Sequence, residues 1–202
     1  LHALLLLSIA LLAFGGLRWA MHRPVAHAAG VLVDAVPRQT DPSDRSLVQH
    51  GDYALQPLAD FDIEARVLSR ADYSFDAGAA LSPTDLALGW GRMSDTAVID
   101  ALDIEQSVRY FSYRWRDAPP IPPAEIVRSA TNLHAIPTDA ATARALARVR
   151  VGDVVELRGR LVEASRADGW HWRSSLSRED SGAGACELML VESIDRRPAR
   201  SD

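Results

Sequence analysis

Val151-Gly-Asp-Val-Val-Glu-Leu-Arg-Gly-Arg-Leu-Val-Glu-Ala-Ser165 decides how this chain is read. Val151-Gly-Asp153 is a turn. After it Val155, Leu157, Gly159 and Leu161 alternate with Glu156, Arg158 and Arg160, the period-two pattern of a strand with one face buried. Ala167-Asp-Gly169 then reads as a turn that returns the chain along residues 170–177 as a pairing partner. Residues 186–193 make a last strand, too apolar on both faces to lie at an edge.

Upstream, Phe61, Ile63, Ala65 and Val67 alternate with Asp62, Glu64 and Arg66, so a strand begins near residue 61. Residues 85–90 form a second apolar run. Ser94-Asp95 can cap a helix running to about residue 103. Residues 108–115 read as a strand with Phe111, Tyr113 and Trp115 on one face. The proline-rich run 118–123 leads into a short helix over 124–130, and Thr138 caps another to about residue 149. These elements predict one α+β domain with a mostly antiparallel, strongly curved sheet or small barrel and two to three short helices. The turn-strand-turn-strand run of 151–177 has the spacing of an oligonucleotide- or oligosaccharide-binding (OB) barrel, a spacing that many small barrels share.

Residues 3–17 carry no charge and are dominated by Leu and Ala, which predicts an N-terminal transmembrane helix within a membrane anchor over 1–23, contacting the membrane through residues 3–20. Arg18, His22, Arg23 and Pro24 stand between this run and the Ala26-His-Ala28 triplet, which favours retention over cleavage. Arg18 and Arg23 alone would keep the following chain in the cytoplasm, whereas a signal-anchor with a basic start places it in the periplasm, the reading preferred here. Residues 24–57, with four prolines, two glycines and no sustained period, read as a linker; 58–195 form the globular domain and 196–202 a disordered tail.

All 22 basic residues are Arg, which closes Schiff-base chemistry and the lysine phosphate clamp. The formal charge of −5 argues against a nucleic-acid partner, leaving a binder on an OB-like barrel as a third reading. Cys186 is the sole cysteine, so no intrachain disulfide forms.

Three segments, Asp85-Leu-Ala-Leu-Gly-Trp-Gly-Arg-Met-Ser-Asp95, Ser129-Ala-Thr-Asn-Leu-His-Ala-Ile-Pro137 and Gly169-Trp-His-Trp-Arg-Ser-Ser-Leu-Ser-Arg-Glu-Asp-Ser-Gly-Ala-Gly-Ala-Cys-Glu187, together resemble a family of uncharacterised single-pass inner-membrane proteins of Gram-negative bacteria. The resemblance implies an inner-membrane location and supplies no catalytic residue.

The sharpest enzymatic reading uses Cys186 as nucleophile behind the 182–184 loop, with His134 as base and Asn132 or Asp180 to orient it. Set against it, a cysteine opening an apolar strand is ordinarily a small core residue, and Asn132 and His134 before Pro137 suit the satisfaction of turn backbone. The histidines, at 2, 22, 27, 50, 134 and 171, show no metal-binding spacing, and no cofactor is expected. Asp60, Asp62 and Glu64 read as an exposed acidic row. Trp170, His171, Trp172, Arg173 and Arg178, with Tyr113 and Trp115, combine aromatic planes with Arg forks in the manner of a binding surface for an envelope protein or a cell-wall component. The competing reading makes the tryptophans core. A membrane-tethered, non-enzymatic binding or assembly module is therefore the expected function, with a thiol-dependent hydrolase or transferase as the alternative.

Overall fold

The computed structural model describes residues 23–182 and 184–197. The expected anchor falls almost wholly outside them, and among the described residues no helix is long and apolar enough to cross a membrane.

The chain is mostly strand. β1 (Arg38–Thr40) and β2 (Val48–His50) are short; β3 (Tyr53–Asp72) is long, followed by β4 (Thr84–Gly89), a 3₁₀ turn at Gly91–Ser94 and α1 (Thr96–Ile99). β5 (Asp103–Ser107) and β6 (Tyr110–Arg114) form a separate hairpin. After α2 (Pro123–Arg128) come β7 (Ala130–Pro137), α3 (Ala140–Leu146), β8 (Val154–Ser165), β9 (His171–Arg173) and β10 (Glu187–Arg197). This is a curved sheet with three short α-helices, as an α+β reading requires.

The pairing returns on itself. β3 joins β4, β4 joins β7, β7 joins β10, β10 joins β8, and β8 joins β3; only β7 and β10 run parallel. One strand closes both sides because β3 gives residues 54–66 to β8 and 66–72 to β4, with irregularities between Pro57 and Ala59 and between Val67 and Ser69. Such bulges let a 20-residue strand coil instead of lying flat. Inside the ring pack Phe61, Ile63, Leu86, Leu88, Leu133, Leu157, Leu161, Met189 and Val191. The alternation expected for β8 holds through Leu161. Beyond it Val162 and Ala164 are buried too, because the outer face there lies under a second cluster with Leu55, Ile136, Leu188, Trp170 and Trp172.

Residues 24–57 do not form the expected linker. Pro57 belongs to β3, beside a bulge where a missing N–H is tolerated, so the strand starts at Tyr53 and not after residue 57. Val33 is buried in the interior cluster, and Leu32 and Val33 donate their amides to Ser94 Oγ. Val25 N donates to Val151 O at 2.8 Å. Gly152, at φ +88°, is needed there, since a Cβ would stand 2.0 Å from Val25 O. The expected tail is likewise ordered as far as Arg197, because Arg196 and Arg197 pair with Val155 and Val154.

The segment holding Asn132 and His134 is a buried central strand, so neither side chain serves a turn before Pro137, and Asn132 bonds the backbone of a distant turn instead, donating from Nδ2 to Arg109 O. The helices are shorter than their patterns suggest. Asp139, not Thr138, caps α3, accepting from Thr142 N at 2.7 Å, while Thr138 Oγ1 donates to Val191 O. The helix expected to reach about residue 103 stops at Ile99, capped by Asp95, and β5 starts at Asp103.

Candidate functional site

Alternation along β4 and β7 sends Leu86, Leu88, Leu133 and Ala135 into the ring and leaves Asp85, Asn132 and His134 on its outer face, where Asp85 stands directly opposite His134. The β5–β6 hairpin lies over this face. Its register pairs Ser107 with Tyr110 and leaves Val108 and Arg109 as a two-residue turn, at φ +49° and +67°. Glycine and asparagine favour such a turn, and a β-branched residue there is strained by roughly 1–3 kcal/mol. Bonds to Arg109 offset the strain. Its N–H donates to Tyr73 Oη at 3.0 Å, its carbonyl accepts from Asn132 Nδ2 at 2.8 Å, and its guanidinium lies 3.8 Å from the Tyr73 ring centre.

The same guanidinium ties the face together. Nη1 donates to Asp85 Oδ1 at 2.7 Å and to Ser82 O at 2.9 Å, while Nε and Nη2 grip both oxygens of Asp76 at 3.0 and 2.8 Å. That grip holds the Asp76 carboxyl below the usual range. Asp85 is fully buried, and its Oδ1 also lies 2.9 Å from His134 Nδ1. The His134 ring sits against Trp172, 4.4 Å between centres. Trp172 fits because residue 78 is glycine; a Cβ there would come within 2.7 Å of the indole.

Cys186 opens onto the edge of this cluster. Sγ accepts from Asn132 Nδ2 at 3.7 Å, while His134 takes its contacts from Asp85 and Trp172. Burial pushes the thiol up to about 11, with the nearby carboxylates of Glu187, Asp85 and Asp180 adding to the shift against the Asn132 hydrogen bond. A group with that pKa is thiolate in roughly one molecule in 10⁴ at neutral pH. Asp180 accepts from Ser175 Oγ at 2.6 Å and lines, with Cys186, Asn132, Tyr110, Phe111 and Ile126, a cleft of about 120 Å³. The 182–184 loop beside it includes Ala183, outside the described residues.

The chain matches no family model, no curated protein and no solved structure.

The aromatic and arginine residues singled out by sequence do not form one surface. Trp170 and Trp172 are part-buried against the second cluster and meet edge-on at 6.2 Å. Tyr113 and Trp115 stack at 6.3 Å on a third cluster, with Leu68, Met93 and Ile126. His171 is exposed, and Arg173 turns to Glu163. Arg178 runs instead to a buried carboxylate: Nη1 lies 2.5 Å from Glu187 Oε1, and its guanidinium carbon lies 5.1 Å from the ring centre of Phe61. Asp85, Arg109, Tyr73, Asp76 and Glu187 are the residues that sequence reading passed over. A carboxylate placed directly before an apolar run, as Asp85 is before residues 86–90 and Glu187 before residues 188–191, was the available signal. Among the described residues no group of three or more His, Cys, Asp and Glu is arranged to hold a metal.

Glu187 carries a pH prediction. It is 1% exposed, and burial pushes its carboxyl from 4.5 up to about 8, only partly offset by Arg178. Its folded pKa lies above its unfolded one, so the folded state holds the proton more tightly. Stability is greatest below about pH 4.5 from this group and is lost as pH rises through 8. Chemical denaturation from pH 5 to 8 should show stability falling, with Glu187→Gln flattening the slope; coincident slopes for the two proteins would contradict the assignment.

Proposed function

We propose that this chain is a membrane-tethered, non-enzymatic binding module of the bacterial envelope, facing the periplasm, that takes a protein partner on an OB-like barrel. The finer fold rests on strand order. A five-stranded ring with one parallel pair, β7 and β10, and a helix between β7 and β8 has the connectivity of an OB barrel, whose ligands use the face of the second and third strands and the loops after the first and fourth. The corresponding strands here, β4 and β7, carry Asp85, Asn132 and His134. The corresponding connections carry Asp76 and, on the short strand β9, Trp172.

The observation that carries the reading is the β5–β6 hairpin lying over that face. Arg109 fills the centre of the face, and what stays open is the cleft lined by Tyr110, Phe111, Asn132 and Cys186. At about 120 Å³ it is well below the usual size of a small-molecule site, roughly 300–1,000 Å³, and suits a single inserted side chain. A nucleic-acid strand would need the covered face and meets a net charge of −5.

A photo-crosslinking residue at the half-exposed Tyr110 tests the proposal in cells. It should give a discrete protein adduct that disappears when Ala185→Trp fills the cleft at unchanged Tm. No adduct, or one indifferent to Ala185→Trp, would count against it.

One observation favours the thiol-enzyme reading. His134 Nδ1 lies 2.9 Å from Asp85 Oδ1, the approach of base to orienter in a nucleophile-base-orienter triad, but without hydrogen-bond geometry. Against that reading stand the thiol held protonated and its contact with Asn132 in place of His134.

A further inference from the structure

A second cleft, of about 330 Å³, opens at the end of the domain where the chain arrives from its N-terminal segment. It is lined by Val25, His27, Arg150, Asp153, Val154, Arg196 and Arg197. Three guanidiniums and an imidazole thus face one carboxylate, in a chain whose total charge is −5. Asp153 is 5% exposed and already shared, lying 3.3 Å from Arg150 and 3.7 Å from Arg196. Arg197 pairs with Glu64 yet remains 54% exposed. The backbone carbonyl of Arg148 accepts from Arg196 Nη1 at 3.2 Å. Arg150 Nε is buried with no partner among the described residues.

Position gives this basic cleft its meaning. Val25 is fixed to Val151, and His27 Nε2 lies 2.8 Å from Gly152 O. Seven residues, or eight Cα-to-Cα steps, separate Leu17, the last of the apolar run, from Val25, so this end of the domain stands at most about 29 Å from the run. That tether is short enough for the cleft to reach the phosphates of a bilayer, to which arginine forks bond bidentately. We propose that the cleft binds the phosphodiester headgroup of an anionic phospholipid and holds the base of the domain on the membrane surface. The proposal rests on the tether proposed above.

The full chain separates the two. Flotation with phosphatidylcholine vesicles reports the tether alone. In nanodiscs of phosphatidylcholine and phosphatidylglycerol in equal parts, amide exchange across residues 148–154 and 194–197 should slow by about fivefold or more relative to phosphatidylcholine alone. The slowing should vanish in molar salt and in Arg196→Gln/Arg197→Gln, which leaves Asp153 paired with Arg150. It should persist in Arg114→Gln/Arg173→Gln, which removes the same charge elsewhere. Equal exchange in both lipids, or a slowing indifferent to salt or to Arg196 and Arg197, overturns the headgroup site. If the chain does not float with phosphatidylcholine, the tether fails. Flotation with phosphatidylglycerol vesicles that depends on Arg196 and Arg197 then still supports the cleft, and its absence overturns it.

Discussion

Gly159→Ala should cost about 4 kcal/mol or more, enough to leave the domain largely unfolded at 25 °C. Gly159 sits in the middle of β8, paired with Phe61 of β3 on one side and Val191 of β10 on the other. A Cβ would fall 2.0 Å from the Leu190 carbonyl oxygen and 3.1 Å from Glu192 N, both backbone atoms beside the irregularity between Val191 and Ser193. Neither can yield without parting the two strands that close the ring. Gly169→Ala is the matched control: its φ is +90°, but nothing lies within 4 Å, so only the conformational cost of about 1–2 kcal/mol applies. Urea midpoints for the two variants should differ widely. Similar midpoints would mean that β8 and β10 are not so closely packed.

Arg109→Met should cost about 3–5 kcal/mol, because it leaves the fully buried Asp85 carboxylate without its guanidinium partner. It also removes both bonds to Asp76 and the stacking on Tyr73, so the strained Val108–Arg109 turn loses what holds it. Asp85→Leu/Arg109→Met should be less destabilised than the sum of its single changes, since no charge is then buried alone. A loss below about 1 kcal/mol for Arg109→Met would place the pair among surface ion pairs and detach the hairpin from the face.

What sequence revealed of this fold, and what it hid, follows from which forces act locally. Val155, Leu157, Gly159 and Leu161 alternate because one face of β8 meets the ring interior, and that pattern is written in neighbouring residues. β7 carried no such pattern. Its inner face meets the core while Asn132 and His134 sit under an inserted hairpin, so polar residues are buried where alternation predicts exposure. Residues 24–52 are held by single bonds to distant partners, such as those of Leu32 and Val33 to Ser94, and by two three-residue strands paired to β3, too short to leave a periodic trace. Cys186, Asn132 and His134 were legible as chemistry. Their true neighbours were not, because Asp85, Arg109 and Tyr73 reach them only through the order of strands in the ring.

Alkylation of Cys186 in the native protein across a pH series, read by mass, tests the central claim most directly. A non-enzymatic module with a part-buried thiol held protonated predicts negligible labelling at neutral pH, a rate that climbs toward an apparent pKa near 11, and fast labelling at neutral pH only after unfolding. Rapid native labelling with an apparent pKa below that of a free thiol would contradict it and make Cys186, His134 and Asp85 a working triad.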